Sequence, residues 1–166
     1  INIGNLESNI KINGKPYKGT GIWMRKTLPQ ALGSGISTQL DLDTDTDIFY
    51  TYGKNPPEVS GGVLTSNRRG IYKIELHATP SVSSMTGSFL SIYNSTKTIK
   101  YNAIQNSGVN VTQASTLSSS CLLYLDDGDT IIFEILVFGT VITVGSTTVP
   151  VTLSVTLESD EISNGN

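Results

Sequence analysis

"LYLDDGDTIIFEILVF", residues 123–138, decides how the chain folds. Its Asp126-Asp127-Gly128-Asp129 run reads as a turn, because Asp bonds its own backbone there and Gly supplies left-handed geometry. From Ile131 to Phe138 only Glu134 interrupts an apolar run of β-branched, aromatic and other large side chains, which is strand composition. Successive side chains of a strand point to opposite faces. Ile131, Phe133, Ile135 and Val137 therefore share one face, while Ile132, Glu134, Leu136 and Phe138 share the other. The charge-free set suits a sealed core, since a buried carboxylate must be paired. A single sandwich needs only that one face. The set holding Glu134 requires a second cover, and a neighbouring subunit is the expected one.

The remaining composition agrees with strands. The 166 residues include 20 Thr, 20 Ser, 17 Ile and 11 Val but only 4 Ala, the best helix former. That length is one domain's worth and sufficient for a core without disulfides or metals. Cys121 is alone, so no internal disulfide forms, and it reads as a small buried hydrophobe. Residues 1–100 carry all 11 Lys and Arg against seven acids, and residues 101–166 carry seven acids and no base. The halves thus hold +4 and −7. Neither is the dense basic patch of a nucleic-acid site or the polybasic segment of a lipid-binding one. No apolar run has the length of a membrane span, and no signal peptide is visible. With charged residues at only 15%, the polar surface must be largely Ser, Thr and Asn, as suits an extracellular or particle-surface protein.

Residues 1–21 alternate Ile and Leu with polar residues and carry Asn13-Gly14, Gly19 and Gly21, which predicts a stalk end or linker. A head domain then spans 22–160, and 161–166 form a polar tail. Within the head, "ISTQLDLDTDTDIFYTY" alternates Leu40, Leu42, Thr44, Thr46 and Ile48 against Asp41, Asp43, Asp45 and Asp47, an amphipathic strand pattern with an acidic face. "GIYKIELHA" sets Tyr72, Ile74 and Leu76 against Lys73, Glu75 and His77. "VPVTLSVTLES" aligns Val149, Val151, Leu153, Val155 and Leu157. Short strands separated by regular turns predict an all-β antiparallel sandwich or jelly roll.

Catalytic and metal chemistry finds little purchase. An EF-hand loop started at Asp41 or Asp43 puts Thr46 or Ile48 where Gly is required, and Tyr52 or Lys54 where Glu is required. His77 is the only histidine, and no Gly-x-Ser-x-Gly elbow exists to supply a nucleophile. Asp126, Asp127 and Asp129 flank a turn glycine, so turn formation explains them better than glycosidase acids do. The reading is of a non-enzyme with no catalytic residue, no cofactor and no metal. Asn94-Ser95-Thr96 and Asn110-Val111-Thr112 are glycosylation sequons, which matter only in a eukaryotic source.

Three stretches together carry a resemblance. "GIYKI" at 70–74 resembles the Gly-x-Tyr-x-Phe strand of the tumour-necrosis-factor-like jelly roll, the fold of the complement globular head. "LSIYN" at 90–94 is similar to that family's strand ending in Asn, and "LDDGDTI" at 125–131 to its Leu-x-x-Gly-Asp-x-Val motif, in the same order. Among members, the charge-poor heads of bacteriophage and virus fibres, tectivirus-like vertex spikes in particular, look most similar. The resemblance implies a homotrimer of jelly rolls that binds partners without catalysis. On that basis Ile132, Glu134, Leu136 and Phe138 are expected at the three-fold axis, together with Leu122 and Tyr124. The implied role is the distal head of a virion vertex spike. It would join other vertex or spike proteins through its N-terminal stalk and face a host receptor, protein or glycan, with no nucleic acid and no membrane insertion. The alternative is a secreted signalling or lectin-like module of the same trimeric fold.

Overall fold

The computed structural model describes residues 11–12, 15–16, 19–81, 84–106, 116–140, 142–145 and 151–160. Most of the expected stalk, the 161–166 tail, Val149 and the sequon at Asn110 lie outside them. The first strands are β1 (Lys11–Ile12), β2 (Lys15–Pro16), β3 (Thr20–Arg25), β4 (Gln30–Leu32) and β5 (Thr38–Gln39). Next come β6 (Ile48–Tyr52), β7 (Glu58–Ser60), β8 (Val63–Thr65), β9 (Gly70–Ala78) and β10 (Ser84–Asn94). The last are β11 (Lys100–Asn106), β12 (Leu117–Leu125), β13 (Thr130–Thr140), β14 (Ile142–Val144) and β15 (Val151–Asp160).

Two antiparallel sheets dominate. The first has the order β12-β9-β15-β3-β6; the second has β11-β10-β13-β8-β7, with β5 also paired to β13. From β8 onward the chain passes repeatedly from one sheet to the other, so neighbours in a sheet are distant in sequence. That is the connectivity of a jelly roll.

The alternations read from the sequence set the core. Tyr72, Ile74 and Leu76 of β9 and Val151, Leu153, Val155 and Leu157 of β15 face inward from the first sheet. Leu90 and Ile92 of β10 meet them with Ile131, Phe133, Ile135 and Val137 of β13, the charge-free face. Tyr72 is fully buried, and its hydroxyl donates to Arg68 O at 2.7 Å, so its polar end is satisfied.

Three expectations are corrected. The head does not begin at residue 22: Thr20 and Gly21 already pair with Leu157 and Thr156 of β15. Both are buried, and a Cβ on Gly21 would run into Val155 O and the Tyr52 hydroxyl. The Asp41–Asp47 run is not a strand with a solvated acidic face, for residues 44–47 turn and β6 starts only at Ile48. Leu40 and Leu42 are buried as their spacing predicts, but the acids serve the backbone. Asp43 accepts the N–H groups of Asp45 and Gly61, each at 2.9 Å, and buried Asp47 accepts those of Thr27 at 2.9 Å and Asp43 at 3.0 Å. Short polar side chains that can bond neighbouring N–H groups favour such turns over ladders. The third correction concerns the second face of β13, which the chain itself partly closes. Residues 34–40 return along the free edge of β13, with Gly35 N donating to Val137 O and Leu40 N to Phe133 O. Ile132 is left 2% exposed and Glu134 5%.

Candidate functional site

The outward face of the first sheet exposes large apolar side chains on its strands. Register places Tyr124 beside Ile71, and Leu122 beside Lys73, along the β12 side. Across β15 stand Trp23 and, on edge strand β6, its register partner Tyr50, with Tyr52 two residues on. Leu122 is 65% exposed, Tyr124 50% and Ile71 41%. Trp23 and Tyr50 stack with ring centroids 5.5 Å apart, Tyr50 and Tyr52 lie 6.2 Å apart, and the Tyr52 hydroxyl bonds Thr156 Oγ1 at 2.8 Å. Between these apolar edges runs a polar strip. Lys73 and Glu75 form an ion pair of 2.8 Å, and His77 Nδ1 lies 2.8 Å from Ser118 Oγ. One sheet face thus carries two unlike apolar edges separated by hydrophilic residues.

Leu122 and Tyr124 therefore sit where a partner can reach them. The other four residues expected with them belong to the second sheet, on the opposite side of the sandwich: Ile132 and Glu134 are buried, Leu136 is half-buried and Phe138 is exposed. The structure does not bring the six together, because a jelly roll places β12 and β13 in different sheets although one turn joins them. Trp23, Tyr50, Tyr52 and Ile71 were missed. The period-two spacing of Tyr50 and Tyr52 in "IFYTY" signals a shared aromatic face, but not which sheet is left open.

Glu134 is held inside its own chain. Lys97 Nζ reaches Glu134 Oε1 at 2.5 Å, and Ser37 Oγ donates to Oε2 at 2.8 Å. Lys97 sits in the β10–β11 turn with a left-handed backbone (φ 57°). Asn94 organises this turn, accepting Ile99 N–H at 2.9 Å and donating to Thr96 and Thr98 Oγ1 at 2.8 and 2.7 Å. The sequon asparagine is thus used as a turn cap. Burial pushes the Glu134 carboxyl up, but the bonds from Lys97 and Ser37 and the charges of Lys97 and Lys100 outweigh it, so it ends below its ordinary value. A depressed folded value stabilises the fold above about pH 4.3, the usual glutamate value, and that contribution is lost as pH falls through the folded value. Lys97→Met should therefore cost about 1–2 kcal/mol at neutral pH, between exposed and buried pairs. In thermal melts the gap from the unmodified chain should close on acidification, as Glu134 becomes neutral in both. A gap constant with pH would show that Lys97 acts by packing.

The remaining candidates stay structural. Among the described residues no carboxylate is bonded to His77, so nothing orients it as a general base. Cys121 is half-buried, and burial pushes its thiol up, away from the reactive thiolate. Hydrogen bonds from Asp45 and Gly61 N–H hold the Asp43 carboxyl below its ordinary value. Among the described residues no cluster of His, Cys, Asp and Glu suits a metal ion, and no helix is long and apolar enough to cross a membrane.

By sequence, no protein-family model and no curated protein matches the chain. By structure, murine APRIL at pH 5.0 is similar with a TM-score of 0.59 at 11% identity, covering 82% of this chain and 98% of that one. PRD1 vertex protein P5 gives 0.58 at 13% identity, over 86% and 98%. Eiger TNF from S. frugiperda gives 0.54 at 12%, over 87% and 96%. The fold is a TNF-like jelly roll. Nearly the whole of each of these structures is spanned, so the jelly-roll fold accounts for the described body and not for one motif of it. In this TNF-like jelly roll the strand motifs fall as the resemblance implied. "GIYKI" opens β9, "LSIYN" closes β10, and "LDDGDTI" makes the β12–β13 turn.

Proposed function

We propose that the chain is a non-catalytic binding module that works as a homotrimer of TNF-like jelly rolls, in signalling or lectin-like recognition. The observation that carries this reading is the outward face of the first sheet. Leu122, Tyr124 and Ile71 on one side and Trp23, Tyr50 and Tyr52 on the other leave much apolar surface in water, which marks an interaction site. The two edges differ in chemistry, so a contact between one edge and the other on the next copy is head-to-tail, the kind that closes into a ring when the rotation between copies permits. Three copies is the number that the resemblance implies. Light scattering on the purified chain should return three times 17.8 kDa, and a stable monomer at micromolar concentration would overturn the reading. Partner recognition then falls to loops, protein or glycan being the class of target.

A second reading, the distal head of a virion vertex spike, is favoured by the likeness to PRD1 vertex protein P5 and by the charge-poor Ser/Thr/Asn surface. In it the segment before Thr20 is the end of a stalk that joins other vertex proteins, and the module stands on the virion surface. The gene's upstream sequence separates the two: a shaft or capsid anchor supports the spike, and a signal peptide supports the secreted module.

A further inference from the structure

The loops at one end of the sandwich form a basin that neither sheet face uses. Residues 53–56, Glu58, Asn67 and Asp127 line an open space of about 610 Å³, within the roughly 300–1,000 Å³ usual for small-ligand sites. Its frame is tied by the backbone. Asn67 Nδ2 donates to Pro56 O at 2.9 Å, Thr20 Oγ1 to Lys54 O at 2.9 Å, and Gly128 N to Ser66 O at 2.8 Å. Gly53 (φ 78°), Asn55 (φ 50°) and Gly128 (φ 87°) hold left-handed geometry, which Gly and Asn adopt at little cost. The loops are therefore set before any ligand arrives.

The side chains over that frame are uncommitted. Among the described residues Lys54, Asn55, Glu58 and Asp127 make no side-chain hydrogen bond or ion pair. A simple anion entering the basin meets Glu58 and Asp127, and a simple cation meets Lys54. An ammonium only donates, a carboxylate only accepts, and an amide does both. A hydroxyl group answers all three, and a sugar ring presents several at fixed spacing. We propose that this basin binds a neutral saccharide through Lys54, Asn55, Glu58 and Asp127. No aromatic ring lines it, so binding is by hydrogen bonds and in the weak, millimolar class. The proposal deepens the recognition reading above and rests on it for its biological sense, but the site lies within one protomer.

The test uses the full chain and neutral gluco-, galacto- and manno-oligosaccharides titrated to millimolar concentration, read by the amide chemical shifts of Lys54, Asn55 and Asn67. Saturable shifts at those amides are expected for at least one sugar. Lys54→Ala and Asp127→Ala should each weaken them about tenfold, or 1.4 kcal/mol, since neither removes a side-chain bond within the chain. Inorganic phosphate and Ca²⁺ are the ion controls. The proposal falls if no sugar saturates these amides, if both variants bind like the unmodified chain, or if only phosphate or Ca²⁺ shifts them. Light scattering on the same samples keeps the readings apart. A trimer that binds no sugar removes the basin and leaves the trimer, whereas a sugar-binding monomer does the reverse.

Discussion

Leu122→Asp combined with Tyr124→Asp is expected to leave the fold intact and abolish the proposed trimer. Both side chains are at least half exposed in the single chain, so two carboxylates there remain hydrated, and surface changes of this kind shift stability by about 0.5 kcal/mol or less. Assembly reverses the balance. Truncating a buried interface anchor costs about 2–4 kcal/mol, and a carboxylate without a counter-charge adds its own desolvation. In a closed ring that penalty recurs at every interface. Sedimentation should report a species of 17.8 kDa, with circular dichroism and melting typical of β structure retained. Leu136→Asp, on the opposite sheet, is the matched control and should stay trimeric. If Leu136→Asp dissociates and the double variant does not, the seam lies on β13 and the first sheet is free.

Ile135→Asp is expected to prevent folding. Ile135 is 1% exposed on β13, between β10 and β5, with its side chain in the core. Removing a buried aliphatic side chain costs about 2–5 kcal/mol, and an unpaired buried carboxylate adds several more. Together they match the whole stability of an ordinary domain, about 5–15 kcal/mol. The variant should show no cooperative thermal transition and should collect in the insoluble fraction. Ile135→Val, at about 0.5–1.5 kcal/mol, should fold. A soluble, cooperatively melting Ile135→Asp would remove this face of β13 from the core.

The two predictions rest on unequal knowledge from sequence. The inward faces of β9, β13 and β15 were legible because a period of two leaves no choice once one residue is placed. The cover over Glu134 was not, since it comes from Ser37 and Lys97, which reach β13 only through the tertiary fold. "DLDTDTD" misled for a different reason. Its alternation is that of a strand, yet Asp43 and Asp47 spend their carboxylates on N–H groups of a turn, and hydropathy is blind to that choice. Of the candidate interface, Leu122 and Tyr124 were named only through the trimer that the family resemblance implied. Trp23 and Tyr50 were not, because their pairing joins β3 to β6 across the intervening loops.

The place of β15 governs how the molecule is made. It lies between β9 and β3, pairing Val155 with Ile74 on one side and Ile22 on the other. A chain emerging from the ribosome has β12 and β9 to join, and β3 and β6, but nothing to unite the two pairs until the last described strand is released. Each half-sheet meanwhile presents a bare edge, and bare edges invite pairing with other nascent chains. Sheet closure thus waits for β15 and is set by pairings of long sequence separation that form slowly. A chain broken off before residue 151 would keep two half-sheets with nothing to join them, so the integrity of the sheet turns on β15 alone.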